Sequence, residues 1–166
     1  MTNGRRQPEK SSSPLIAVRR YGSGMSTSII DEVLGTTIIA AEARNQPHEA
    51  KQGVAATFFN RIRTGRYGQT VAHVCLARMQ YSSMNDDRQD NLNLLVVCDL
   101  TEDSPVWQEC HKAFLEAAKD VDPTGGATHY YDTSIDPPYW TRRQADGRQA
   151  VRTVQLGRLV FYKDVP

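Results

Sequence analysis

Glu42 lies in "IIAAEARNQPHEA", with alanines on either side and Ile38 and Ile39 one helical turn earlier. A carboxyl held against apolar walls is favoured in its protonated form, and a protonated carboxyl is what a general acid requires. The same pattern fits a glutamate on a helix surface, so the pattern alone leaves both readings open. The other residues able to do chemistry are scattered. Gln80, Tyr81 and Ser82 begin the polar stretch "QYSSMNDDRQDN", which by itself reads as a loop. Tyr130 and Tyr131 follow "TGGATH", where small residues such as Gly126 let the backbone approach a ligand closely. His129 is the most tempting metal ligand, yet His48, His73, His111 and His129 show no HxH, HxxxH or HExxH spacing. A hydrogen-bonded structural histidine is its default reading, and neither a metal nor another cofactor is expected.

The remaining candidates are weaker. Trp107 opens a helix and reads as core, whereas Trp140 in "DPPYWTRR" is either a platform for a ligand or a surface anchor. Cys75, Cys98 and Cys110 are an odd number without a CxxC pair, which argues against a thiolate zinc site and favours free thiols over a single disulfide. Glu49 could act as a second carboxylate, but its place past Pro47 suits the start of a helix better.

These residues need elements to hold them. Ser26 or Ser28 can cap a helix running through Ile29, Val33, Leu34, Ile38 and Ile39 to Ala43, with Gly35 weakening but not breaking it. Pro47 suits the first turn of a second helix that presents Val54, Ala55, Phe58, Phe59 and Ile62 and ends near "RTGRYG". "TVAHVCLARM" is a short helix or turn, and "LNLLVVCDL" is too short for periodicity to separate helix from strand. "SPVWQECHKAFLEAAKDV" is a helix with Ser104 as cap, Pro105 at its first position, and Val106, Cys110, Ala113, Phe114 and Ala117 on one stripe. The period then changes: "ATHYYD" alternates, and "VRTVQLGRLVFYK" reads as two strands turning at Gly157. The expected fold class is mainly α (α+β), with a small C-terminal β element.

Residues 1–24, with Pro8, Pro14, three consecutive serines and five basic side chains, read as a flexible basic arm, leaving 25–166 as one domain. A formal net charge of +1, from 20 basic and 19 acidic residues, argues against a nucleic-acid-binding protein. No run of apolar residues is long enough to span a membrane, and the first residues lack the apolar stretch of a secretory signal. A monomer is expected.

Several stretches, taken in order, resemble the bacterial cell wall hydrolase family that includes the spore-cortex-lytic enzymes. "AAEARNQPHEAKQGVAATFFNRI" is similar to its signature of Glu-Ala-Arg, a proline, and an apolar helix closing on Asn-Arg, here Glu42, Ala43, Arg44, Pro47, Asn60 and Arg61. "TVAHV" at 70–74, "QYS" at 80–82, "DPTGGATHYY" at 122–131 and "GRLVFYK" at 157–163 resemble its later segments. The likeness covers roughly residues 30–163. Two departures stand out: Asn45-Gln46 where the family often has Gly-Glu, and Ser83-Met84 where many members have Cys-Trp.

The resemblance implies a lysozyme-like fold related to goose-type lysozymes and lytic transglycosylases, acting on the glycan strands of peptidoglycan. Glu42 matches the family's catalytic acid, and Gln80, Tyr81, Ser82, Gly126, His129 and Tyr130 become candidates for binding the glycan. It also implies that one carboxylate is sufficient, because the sugar's own 6-hydroxyl can displace the leaving group. The expected place of action is the bacterial cell wall or periplasm, reached without a signal of the chain's own, as suits a bacteriophage lytic or virion-associated protein; a bacterial enzyme is the other source. Two different readings stay open: an endopeptidase cutting stem-peptide cross-links, and a non-catalytic glycan-binding virion component.

Overall fold

The computed structural model describes residues 25–77, 81, 95 and 97–166. Residues 1–24, expected to form an arm, lie outside them, as do Gln80 and Ser82. The first helix, α1 (Ile29–Ala43), begins with a reciprocal cap. The Asp31 amide donates to Ser28 Oγ at 3.2 Å, while Asp31 Oδ2 accepts from the Ser28 amide at 2.9 Å. Such caps contribute roughly 0.5–2 kcal/mol. Asp31 Oδ1 also accepts from the Ala72 amide at 2.7 Å, in the first turn of α3 (Val71–Leu76). Gly35, in the middle of α1, is where Phe114 packs: a Cβ there would collide with its ring.

Helix α2 (His48–Thr64) is the central element, and Val54, Ala55, Phe58 and Phe59 are essentially inaccessible to water. Burying each large side chain contributes roughly 1.5–3 kcal/mol, so α2 holds the core together. Pro47 sits just ahead of the helix as its cap residue rather than within the first turn, and Gly65 ends it in the left-handed conformation (φ 69°). Helix α4 (Pro105–Ala118) buries Cys110, Ala113, Phe114 and Ala117 against α1 and α2, and Phe59 and Phe114 meet with ring centroids 5.7 Å apart. Trp107 is not core; it is partly exposed beside Ile29, Glu32 and Val33.

A three-stranded antiparallel sheet follows, in the order β1-β3-β2, from β1 (His129–Asp132), β2 (Val151–Leu156) and β3 (Leu159–Lys163). Gly157 (φ 56°) makes the β2–β3 turn. The sheet docks through Phe161, whose ring fills the space above Gly53 of α2. The expected class, a helical domain with a small C-terminal sheet, is the observed one. All three cysteines are free thiols, Cys75 and Cys110 buried and Cys98 exposed. Burial pushes the thiols of Cys75 and Cys110 up to about 12 and about 11, so both stay protonated and inert. Among the described residues, no helix is long and apolar enough to cross a membrane.

Candidate active site

Helix α1 delivers Glu42 in its last turn, between the buried Ala41 and Ala43. The carboxyl faces a cavity of about 600 Å³. One wall is the end of α1 and its link to α2, with Ala41, Arg44 and Gln46. The opposite wall comes from β1 and the segment after it, with Tyr130, Asp132 and Trp140; Arg61 and Tyr81 line it as well. Tyr130, Tyr131 and Asp132 are consecutive on the edge strand β1, and all three line the cavity.

Tyr130 is the direct neighbour of the carboxyl: its hydroxyl donates to Glu42 Oε2 over 3.4 Å, and its ring packs on Phe161 at 5.5 Å. Burial, and then the negative charge of Glu42, push its phenol well above the ordinary tyrosine range, so the hydroxyl remains a donor. Tyr81 is buried, edge-on to Phe58 at 5.3 Å, with the Arg61 guanidinium 4.8 Å from its ring centre. Burial raises its phenol too, against the opposing charge of Arg61. Arg61 is itself buried, donates from Nε to the Thr128 carbonyl at 2.7 Å, and brings a fixed positive charge to the cavity.

A second carboxylate, which sequence reading missed, stands in this cavity. Asp132 Oδ2 accepts from Arg158 Nε at 3.1 Å and Oδ1 from the Ser134 amide at 2.8 Å. Glu49 is exposed on α2 and takes no part in the lining. Gln46 occupies the position where the family resemblance leads one to expect a carboxylate. Its Oε1 accepts from the Arg158 amide at 3.1 Å, so it ties the α1–α2 link to the β2–β3 turn.

Among the described candidates, Tyr81 and Tyr130 thus line the cavity with Glu42, whereas Gly126 and His129 do not. Gly126 lines a separate depression of about 420 Å³ with Tyr67, Arg148 and Lys163. Its amide donates to Asp122 Oδ2 at 2.9 Å, and the same carboxylate accepts from Thr124 and from Asn60 of α2. Burial works to raise the Asp122 pKa, but these hydrogen bonds outweigh it and hold it below the ordinary range. The glycines therefore serve a turn anchored on α2 and not the Glu42 cavity. His129 is on the outer face of the sheet, between Tyr67 (5.8 Å) and Trp140 (5.4 Å), and does not line the cavity. Burial, assisted by the charge of Arg61, lowers its pKa to about 4 and keeps the ring neutral. Among the described residues, no group of three or more His, Cys, Asp or Glu is arranged to hold a metal.

The chain is similar to known proteins in sequence and in fold. The chain is 26% identical over 139 residues to a spore cortex-lytic enzyme of Oceanobacillus iheyensis, covering 80% of this chain and 41% of that protein. It spans less than half the length of the curated relatives it matches. The fold is similar to the crystal structure of the catalytic domain of the Bacillus cereus SleB protein, with a TM-score of 0.63, 22% identity, and coverage of 82% of this chain and 92% of that one. It is also similar to the catalytic domain of the germination-specific lytic transglycosylase SleB from Bacillus anthracis (TM-score 0.60, 21% identity, 82% and 96% covered). The model of the Cell Wall Hydrolase family matches residues 45–162, beginning just after Glu42 and taking in α2, α3, α4 and most of the sheet. The chain belongs to the Cell Wall Hydrolase family.

Proposed function

We infer that this chain, acting as a monomer, degrades peptidoglycan by cutting the β-1,4 bond between N-acetylmuramic acid and N-acetylglucosamine. Glu42 is the single general acid and base. The observation that carries this reading is the Glu42 carboxyl, set in a cavity between helix and sheet with the Tyr130 hydroxyl on its Oε2. Glu42 protonates the glycosidic oxygen as its bond to the anomeric carbon breaks. The 6-hydroxyl of the muramic acid then bonds to that carbon, and its proton returns to Glu42, leaving a 1,6-anhydro end. The similarity to the Bacillus anthracis catalytic domain, that of a lytic transglycosylase, supports this route over a peptidase.

Asp132 favours a second reading. Inverting hydrolysis places a carboxylate base across a water from the acid, and Asp132 shares the cavity with Glu42. Its pairing with Arg158 and the Ser134 amide commits both of its oxygens, which supports the single-acid route.

Glu42→Gln tests the assignment. The amide is isosteric but has no proton to give, and acid–base catalysis contributes on the order of 10²–10⁴-fold. Clearing of outer-membrane-permeabilised cells should fall by that factor while circular dichroism stays unchanged; a folded variant with wild-type activity would falsify the role. Mass spectrometry of the products separates the routes: anhydro ends for the transglycosylase, reducing ends for hydrolysis, new free amines for an endopeptidase. A wild-type chain that clears nothing would leave only the non-catalytic, glycan-binding virion reading. The setting that fits is the bacterial wall during phage entry or host lysis. Arg5, Arg6, Lys10, Arg19 and Arg20 support it, as a basic stretch suited to acidic wall polymers.

A further inference from the structure

Beyond Glu42, the cavity runs out along the segment that follows β1, and this rim is unusually apolar for exposed chain. Ile135 is 57% exposed and Tyr139 77%, the latter the most exposed of the large apolar side chains among the described residues. Pro138 and Trp140 line the cavity beside them. Exposed apolar groups grouped at the mouth of a cavity mark a binding surface.

The segment is also held still. Ser134 and Ile135 donate their amides to Asp132, and Thr141 closes a short 3₁₀ turn (Tyr139–Thr141) with both its amide and its hydroxyl on the Pro138 carbonyl. Gln144 Nε2 donates to the Arg142 carbonyl at 2.9 Å. Trp140 packs against His129, Tyr131 and Tyr162, with ring centroids 5.4, 6.3 and 5.4 Å away. Three aromatic neighbours fix the indole, so no ordering entropy opposes its use as a contact surface.

The geometry points to a saccharide-stacking subsite: Trp140, flanked by Tyr139 and Ile135, receives the apolar C–H face of a pyranose ring remote from the bond being cut. This rests on the glycan reading of the Glu42 cavity. Polar side chains suited to the ring's amide and hydroxyls, Ser134 and Arg158, line the same stretch. An amino-sugar glycan matches both features, since each ring carries an apolar face and a polar edge. Short fragments that fill only the region around Glu42 would not reach Trp140, so the subsite makes binding depend on glycan length.

The chain has two tryptophans, and Trp107 is away from this cavity, so Trp107→Phe leaves Trp140 as the only indole reporter. In that variant, combined with Glu42→Gln to prevent cleavage, the full chain is titrated with a disaccharide and an octasaccharide of alternating N-acetylglucosamine and N-acetylmuramic acid. Co-sedimentation with purified peptidoglycan is measured in parallel. The octasaccharide should quench and shift the Trp140 emission at concentrations where the disaccharide does not. Trp140→Ala and Tyr139→Ala should each weaken octasaccharide binding roughly 3- to 10-fold, the scale of one aromatic contact, while Trp140→Phe retains most of it. Tyr139 is too exposed to matter for folding, so its variant decides the question if Trp140→Ala fails to fold. Octasaccharide bound with unchanged emission, or with undiminished affinity in Tyr139→Ala, overturns the subsite and leaves the glycan reading standing. Failure to bind any glycan overturns both.

Discussion

Tyr130 shows how much one side chain settles here. Its ring is part of the contact between sheet and core, and its hydroxyl reaches the carboxyl that α1 brings to the cavity. Tyr130→Phe keeps the ring and removes the donor. At 3.4 Å the bond is long, so its loss should lower the turnover of peptidoglycan only about 3- to 10-fold, in line with a hydrogen bond of about 1 kcal/mol, with KM little changed. A variant as fast as wild type would show that the hydroxyl plays no part in orienting Glu42. Glu42 and Tyr130 were reached through the family resemblance of the segments that hold them; a carboxylate among alanines fits a helix surface equally well, and strand alternation alone does not choose between Tyr130 and Tyr131. Asp132 and Arg61 were not read as site residues. Their place in the cavity depends on how β1 and α2 face each other, and an aspartate at a strand end or an arginine on a helix looks like ordinary surface. Gly126 misled for the opposite reason: small residues permit close approach, but here they approach Asp122 and not a sugar.

The elements were the most legible level. Ser28, Gly65 and Pro105 punctuate helices where their backbone preferences say they should, because caps act within a few residues, and Pro47 misses its expected place by one residue. Gly35 was read as a weak point in α1, and its reason lies in another helix, the ring of Phe114. The joint between the α1–α2 link and the β2–β3 turn was equally invisible. Gly157 combines φ 56° with close approach: a Cβ there would stand 2.7 Å from Gln46 Oε1 and 2.8 Å from Pro47 Cδ. Gly157→Ala should therefore lower stability by roughly 1–3 kcal/mol, through strain and forced repacking. It should also weaken the Gln46–Arg158 contact that holds this side of the cavity. Chemical denaturation gives the first effect and activity at a temperature well below unfolding gives the second. An unchanged denaturation midpoint would mean that the turn can shift without penalty.

At the scale of the whole molecule, His129 links stability to pH. In the fold it takes up a proton only near pH 4, whereas an ordinary histidine does so near 6.5. Between those values the unfolded chain binds more protons, so stability falls as pH drops through the window and His129 adds no further loss below it. His129→Phe, which keeps an aromatic ring between Tyr67 and Trp140, should flatten the dependence of the urea midpoint on pH from about 6.5 to about 4. If wild type and variant lose stability in parallel across that range, the buried ring is not the cause. Overall class was readable because the period changes once along the chain. The cavity was not, since it lies between the end of the first helix and an edge strand far away in sequence. Asp31 has a mechanical meaning for that cavity. It fixes Ser28 on one side and the Ala72 amide on the other, so α1 behaves as a beam clamped at its start. Glu42 rides at the far end, roughly 16 Å along the axis at ~1.5 Å per residue, where Ala40, Ala41 and Ala43 are packed in the core. The same helix is thus held at both ends, by Asp31 at its start and by the Gln46–Arg158 contact just past its end, so the aim of the acid depends on a carboxylate outside the cleft as well as on the joint beside it.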